Sequence, residues 1–281
     1  MKMRYWPLFF SCFLSLTFPG VISAQEVEDE VLKAKRVVAL SSLSADLVAS
    51  INSDVLIGVP GTSLINNDPR YSALKRVSNG RSQPSVELIL SLNPDLVIGA
   101  EGFHSRILKA LNKLGIQTLA VKVNSWDRLE QVSRTLEELI VNAGSIDSRL
   151  RQLCPSRKLS NSSSVSVLIL AGVAPKLSPR QQSWSGSLLD HFGLENSTKW
   201  LPGSSEFSGY ITMSNERLLA INPDKVLVVN PSGDSAKAVQ SLIPFFPRLK
   251  TSDFVVMEYY GLINPGSLSS IRSACIALSN L

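Results

Sequence analysis

One segment of this chain occurs twice. Ser85 to Val97 reads SVELILSLNPDLV and Ser214 to Val226 reads SNERLLAINPDKV, with seven of thirteen positions identical at a constant offset of 129 residues. The identities include Ser85 and Ser214, Glu87 and Glu216, and the triplets Asn93-Pro94-Asp95 and Asn222-Pro223-Asp224. Each copy predicts a helix followed at once by a strand. The serine is a good N-cap, Leu88, Ile89 and Leu92 recur at helical spacing, and the proline ends the helix by pushing its predecessor out of the α region. Leu96-Val97-Ile98-Gly99 and Val226-Leu227-Val228-Val229 then read as short apolar runs, as strands buried on both faces do. A helix-turn-strand unit used twice predicts two lobes built to one plan.

The same alternation runs along the rest of the sequence. Strands are expected at residues 36–40, 55–59, 96–99 and 118–123, separated by helices that begin near Ser44, Ser85 and His104, which is the pattern of a parallel α/β sheet. From Ser125 to about Leu153 the residues Leu129, Val132, Leu136, Leu139 and Ile140 fall at helical spacing and predict one long amphipathic helix ending at Cys154-Pro155. A second α/β unit opens at residues 165–170, with strands at 226–229 and 254–257 and helices at 186–192, 215–220 and 267–280. The expected organisation is an N-terminal lobe over 35–124, a linker helix over 125–155 and a C-terminal lobe over 164–281. Two Rossmann-like α/β lobes with parallel sheets, joined by one long α-helix, place a ligand cleft between the lobes at the carboxyl ends of the strands.

The first 24 residues stand apart. Lys2 and Arg4 precede an apolar stretch from Trp6 to Phe18, followed by Val21-Ile22-Ser23-Ala24 and an acidic run. This reads as a signal peptide over 1–24, cleaved after Ala24, and hence as a periplasmic protein. Cys12, behind Phe-Phe-Ser and inside continuing apolar sequence, is a poor lipid-anchor site. Cleavage lowers the 28 basic residues to 26, against 23 acidic ones, a charge too mild and dispersed for nucleic acid. Cys154 and Cys275 then remain, either as a disulfide or as two buried thiols.

Catalytic signatures are sparse. His104 and His191 are the two histidines, and without HEXXH, CxxC or a His/Asp cluster a bare zinc or iron site is not expected. Trp184-Ser185-Gly186-Ser187 lacks the first glycine of a nucleophile elbow, so a secreted α/β hydrolase using a serine with His191 is the competing enzyme reading. No G-x-G-x-x-G follows a predicted strand. Among the loops at the strand ends, Ser42, Phe103, Trp184, Tyr259 and Tyr260 are candidate cleft residues; the aromatics would either grip a flat or bulky ligand or serve as ordinary packing.

With its two lobes, its linker and above all its paired S-x-E-x-x-L-x-x-N-P-D segment, the chain resembles the periplasmic substrate-binding proteins of ABC importers for iron-siderophores, haem and cobalamin. The likeness runs from Arg36-Val37-Val38 to Ala274-Cys275-Ile276-Ala277-Leu278. It implies a monomeric, non-enzymatic receptor with no cofactor of its own, which captures a metal chelate in the cleft and delivers it to a permease dimer. A ferric siderophore comes first, cobalamin or haem next. The resemblance also implies that Glu87 and Glu216 dock into arginine pockets on the two permease subunits, although helix-dipole stabilisation alone would favour glutamate there. It further implies a ligand-contacting arginine at Arg81, six residues before Glu87. Two departures stand out. Asp46 replaces a glutamate frequent in the helix after the first strand, and His191-Phe192-Gly193-Leu194 lacks the cysteine that a cobalamin receptor pairs with its C-terminal helix, which weakens cobalamin. An exported sensor that kept the fold and lost transport is the remaining alternative.

Overall fold

The computed structural model describes residues 33–80, 82–155, 164–172, 176–229 and 233–281; the signal-peptide expectation over 1–24 and the expectation for Arg81 lie outside the described residues. In the N-terminal lobe, β1 (Val37–Ala39), β2 (Leu56–Val59), β3 (Lys75–Arg76), β4 (Leu96–Ala100) and β5 (Gln117–Val121) form a five-stranded sheet in the order β3-β2-β1-β4-β5, with every pair parallel. The intervening helices are α1 (Ser42–Asn52), α2 (Ser63–Asn66), α3 (Val86–Ser91) and α4 (Ser105–Lys113). Helices α5 (Trp126–Leu139) and α6 (Asp147–Leu153) lead to the C-terminal lobe. There the strands are β6 (Ser166–Ala171), β7 (Leu177–Pro179), β8 (Glu195–Asn196), β9 (Tyr210–Thr212), β10 (Lys225–Val229) and β11 (Phe254–Val256). The helices are α7 (Trp184–His191), α8 (Asn215–Ala220), α9 (Ser235–Leu242) and α11 (Leu268–Ser279), with a kinked turn, α10 (Tyr259–Leu262), whose Tyr260 and Gly261 are not helical.

Strand alternation explains how the lobes share a core. Val37 and Ala39 of β1, Leu96 and Ile98 of β4, Val167 and Ile169 of β6, and Leu227 and Val229 of β10 all belong to one buried cluster that runs through both lobes. The alternate residues point the other way. Val38 and Val97 join a separate cluster with Ile89 and Leu111, while Leu168, Leu170, Val226 and Val228 join another with Leu218 and Phe246. Each sheet is therefore buried on both faces, which is why these strands read as unbroken apolar runs. Each such valine, leucine, isoleucine or phenylalanine contributes roughly 1.5–3 kcal/mol on burial.

Two expectations are corrected. The linker is divided: α5 stops at Leu139, Ile140 takes an extended conformation, and α6 begins at Asp147. The break is held from outside, because Ala34 donates to Leu139 O and accepts from Val141 N, and Gly144 N donates to Ile51 O. Asn142, at φ 49, turns the chain, as asparagine tolerates. Second, the C-terminal sheet is mixed, because β7 pairs antiparallel with both β6 and β9, whereas β10 and β11 continue the parallel plan.

Cys154 and Cys275 are joined as a disulfide that ties the end of α6 to the middle of α11. In the repeated segment, Ser85 Oγ accepts from Leu88 N and Ser214 Oγ from Arg217 N, capping α3 and α8. Asp95 accepts from the backbone N–H groups of Lys35 and Arg36, and Asp224 from that of Ser166, so each aspartate staples its turn to the start of the neighbouring central strand.

Candidate ligand cleft

Four strands of the N-terminal sheet end at one cavity of about 510 Å³, within the size range of small-molecule sites. Its walls are the residues that follow β1 (Leu40 to Leu43), β2 (Pro60 and Thr62), β4 (Glu101, Phe103 and His104) and β5 (Lys122 and Val123). The C-terminal lobe closes it with Tyr260, Asn264, Pro265 and Gly266. Because all four strands are parallel, their carboxyl ends converge, and the loops after them supply the lining. The loop rim is tight: Gly80, at φ +80, lies so close to Gly61 that a side chain there would meet Gly61 O at 2.6 Å.

The lining is rich in hydroxyl groups and nearly uncharged. Ser41, Ser42, Thr62, Ser78 and Ser82 all face it, with Ser42 Oγ and Thr62 Oγ1 2.7 Å apart. Glu101 and Lys122 are the charged residues among its described walls. They sit one step beyond the last β4–β5 register pair, Ala100 with Val121, yet no ion pair joins them. His104 is 4% exposed, and its Nδ1 accepts from Ala100 N at 2.9 Å. Burial pushes its pKa below the usual imidazole value, so the ring is neutral with its proton on Nε2. Phe103, 62% exposed, stands edge-on to that ring.

A smaller apolar hollow of about 230 Å³ lies at the carboxyl ends of β6 and β10, walled by Phe207, Tyr210, Tyr259 and Ile263. Burial raises the phenol pKa of Tyr210 to about 12 and raises that of Tyr259 as well. Tyr259 and Tyr260 stack edge to face.

Most of the residues expected at the cleft come together there: Ser42, Phe103 and Tyr260 line the main cavity and Tyr259 the smaller hollow. Trp184 does not. It is 3% exposed, stacks against Trp126, and donates Nε1–H to Gly261 O at 2.7 Å. It is a core residue supporting the loop behind the cavity. Lys122, the Asn264 to Gly266 turn and Phe207 were not expected: a lone lysine after a strand carries no signal, and Asn-Pro-Gly reads only as a turn.

The hydrolase alternative is overturned by the same geometry. Ser185 Oγ donates to Leu262 O, Ser187 Oγ accepts from Trp126 N, and His191 Nε2 meets Cys154 O. Each group that a serine–histidine pair would need is engaged elsewhere.

Glu87 and Glu216 lie in the first turns of α3 and α8 and are exposed. Each helix runs directly into a parallel strand, so its N-terminus lies at the carboxyl edge of its sheet, the edge that carries the cavity. The backbone N–H of Glu87 and then the Ser85 hydroxyl hold the Glu87 carboxyl below the usual range. No helix among the described residues is long and apolar enough to cross a membrane.

A family model described as periplasmic binding protein matches residues 37–244. The uncharacterized ABC transporter substrate-binding lipoprotein YvrC of Bacillus subtilis (strain 168) is 25% identical over 243 residues, which cover 79% of this chain and 72% of that protein. The periplasmic vitamin B12 binding protein BtuF of Vibrio cholerae superposes with a TM-score of 0.65 at 19% identity, over 88% of this chain and 96% of its own. S. aureus IsdE, solved in complex with heme, gives 0.64 at 19%, over 87% and 97%. At such identities the superpositions speak for a shared two-lobed α/β fold, and the match over most of the chain's length settles the rest: this chain belongs to the periplasmic binding protein family, a family of receptors and not of enzymes.

Proposed function

We propose that the protein is the substrate-binding receptor of an ABC importer, exported to the periplasm, and that its cargo is a ferric siderophore of low net charge, of the hydroxamate type. The observation that carries this reading is the charge of the cavity: among its described walls one acid, Glu101, offsets one base, Lys122, and the remaining polar groups are neutral hydroxyls, an amide and a neutral imidazole. In a ferric hydroxamate the charges of metal and ligands cancel. A ferric catecholate keeps a large negative charge and would need several cations to offset its desolvation. By resemblance to receptors of hydroxamate siderophores, Arg81 would donate hydrogen bonds to the chelating oxygens, one added cation where a catecholate would need several.

Haem fits less well. To ligate iron through Nε2, His104 would have to move its proton to Nδ1, which would then face the Ala100 N–H as a second donor. A chelate whose metal is already fully coordinated asks for no such change. Glu87 and Glu216, identical exposed charges at the cleft edges of both lobes, suit a two-fold permease surface carrying basic pockets. The receptor acts as a monomer.

Calorimetric titration of the mature protein with a ferric hydroxamate, a ferric catecholate, haem and cyanocobalamin tests the cargo. The hydroxamate should bind most tightly, and preference for the catecholate would overturn the charge argument. Glu87→Arg with Glu216→Arg should abolish importer-dependent uptake and leave the Kd unchanged; a lost affinity would count against docking, and wild-type protein that binds but never supports uptake would indicate a sensor.

A further inference from the structure

The C-terminal lobe reaches the main cavity through one short strap, residues 259–267, between β11 and α11. The strap is built for close packing. Gly261 sits at φ +93, and a side chain on it would meet Ser270 O at 2.1 Å, so residue 261 must be glycine for the strap to lie against α11. Its own lobe holds the strap by three bonds: Trp184 Nε1 to Gly261 O, Ser185 Oγ to Leu262 O and, longer, Tyr210 Oη to Ile263 O.

A fourth bond comes from the other lobe. Asp46, in the second turn of α1 and 1% exposed, accepts the backbone N–H of Leu268, the first residue of α11, on Oδ2 at 2.8 Å. Its Oδ1 accepts from the Tyr71 hydroxyl, and from Arg70 Nη2 at 2.9 Å. Three donors from two segments, the adjacent Arg70 and Tyr71 and the distant Leu268, thus converge on one buried carboxylate, and one of them is an otherwise orphaned N–H at the start of a twelve-residue helix. Asp46 also lies one turn beyond Ser42, which lines the cavity on the N-terminal side. One side chain on α1 therefore holds the beginning of α11, and the loops that precede these two helices both line the cavity.

We propose that Asp46 is a positioning residue for ligand binding: it ties the N-terminus of α11 to the N-terminal lobe and so sets where the Tyr260 to Gly266 wall stands over the cargo. This deepens the receptor reading and rests on it for its cargo. Asp46→Asn preserves size and shape but cannot accept from all three donors at once, so the Leu268 N–H or the Arg70 and Tyr71 pair is left facing an amide NH2.

The test has two arms. In the titration with a ferric hydroxamate, Asp46→Asn should raise the Kd at least about tenfold, the scale of an ordinary coupling between sites. A core variant matched to it in Tm loss, such as Leu111→Ala on the outer face of the N-terminal sheet, should leave the Kd within about twofold, which separates positioning from general loss of stability. In the second arm, spin labels at the exposed positions 109 and 237, one in each lobe, report inter-lobe distance without any ligand. Asp46→Asn should broaden that distribution. A folded Asp46→Asn protein with wild-type Kd and wild-type distances would overturn the proposal. If the wild type binds no chelate at all, the proposed cargo falls, while the distances still decide for or against Asp46.

Discussion

Cys154 closes α6 and Cys275 lies in the middle of α11, 121 residues away in sequence, and each is 1% exposed. Breaking this bond frees a long loop in the unfolded chain while leaving the folded contacts nearly as they were. The chain-entropy relation for a loop of this length gives about 5 kcal/mol. Replacing both residues by alanine adds a smaller cavity penalty of the same sign. For a protein of this size each kcal/mol moves the Tm by about 2–4 °C, so Cys154→Ala with Cys275→Ala should lower it by roughly 10–20 °C. Scanning calorimetry of the double variant beside the oxidised wild type measures this directly. Ligand affinity at a temperature where both are folded should not change, because neither cysteine lines a cavity wall. A double variant melting within about 2 °C of the wild type, or free thiols in the unreduced denatured protein, would refute the reasoning.

Two further outcomes follow from the buried aromatic and imidazole groups. Trp184→Phe keeps an aromatic ring against Trp126 but leaves Gly261 O, its acceptor, without a donor; it should cost about 1–3 kcal/mol, seen as a lower urea midpoint at unchanged slope, whereas weakened ligand binding at full stability would return Trp184 to the cleft wall. His104 makes stability depend on pH. Its folded pKa is depressed by burial, so below about pH 6.5 the unfolded state binds a proton that the native state refuses. That stability is fully present above 6.5 and is lost as pH falls toward the folded value; His104→Gln should flatten this slope in unfolding curves between pH 7 and 5, and an unaltered slope would exclude His104 as its source.

Residues whose reasons are local could be read before any coordinates, and residues whose reasons are distant could not. The caps, the prolines and the alternating strands needed only neighbours in sequence, so the two-lobed α/β plan followed from the repeat. The break at Ile140 depends on Ala34, more than a hundred residues earlier, and a helical periodicity that runs through Leu139 and Ile140 gives no sign of it. Trp184 shows the same limit at the site. An aromatic in a loop before a helix looks the same whether it meets a ligand or Gly261, and only the tertiary placement of the strap, 77 residues on, decides. Asp46 looked like a departure from a familiar pattern until its partners, 24, 25 and 222 residues away, gave it a reason. The repeat itself separates into two kinds of identity. Ser85 and Ser214 cap helices, and Asp95 and Asp224 staple turns to strands, so folding accounts for them twice over. Glu87 and Glu216 have a weaker local reason, an acidic side chain in the first turn of a helix, with Glu87 also accepting from Ser85 Oγ and Glu216 exposed. The helix dipole favours a carboxylate at both positions, so paired uptake and affinity measurements on Glu87→Arg with Glu216→Arg are what separate a docking charge from a capping one: uptake lost at unchanged Kd and Tm would mark docking, and a lowered Tm with uptake retained would mark capping alone.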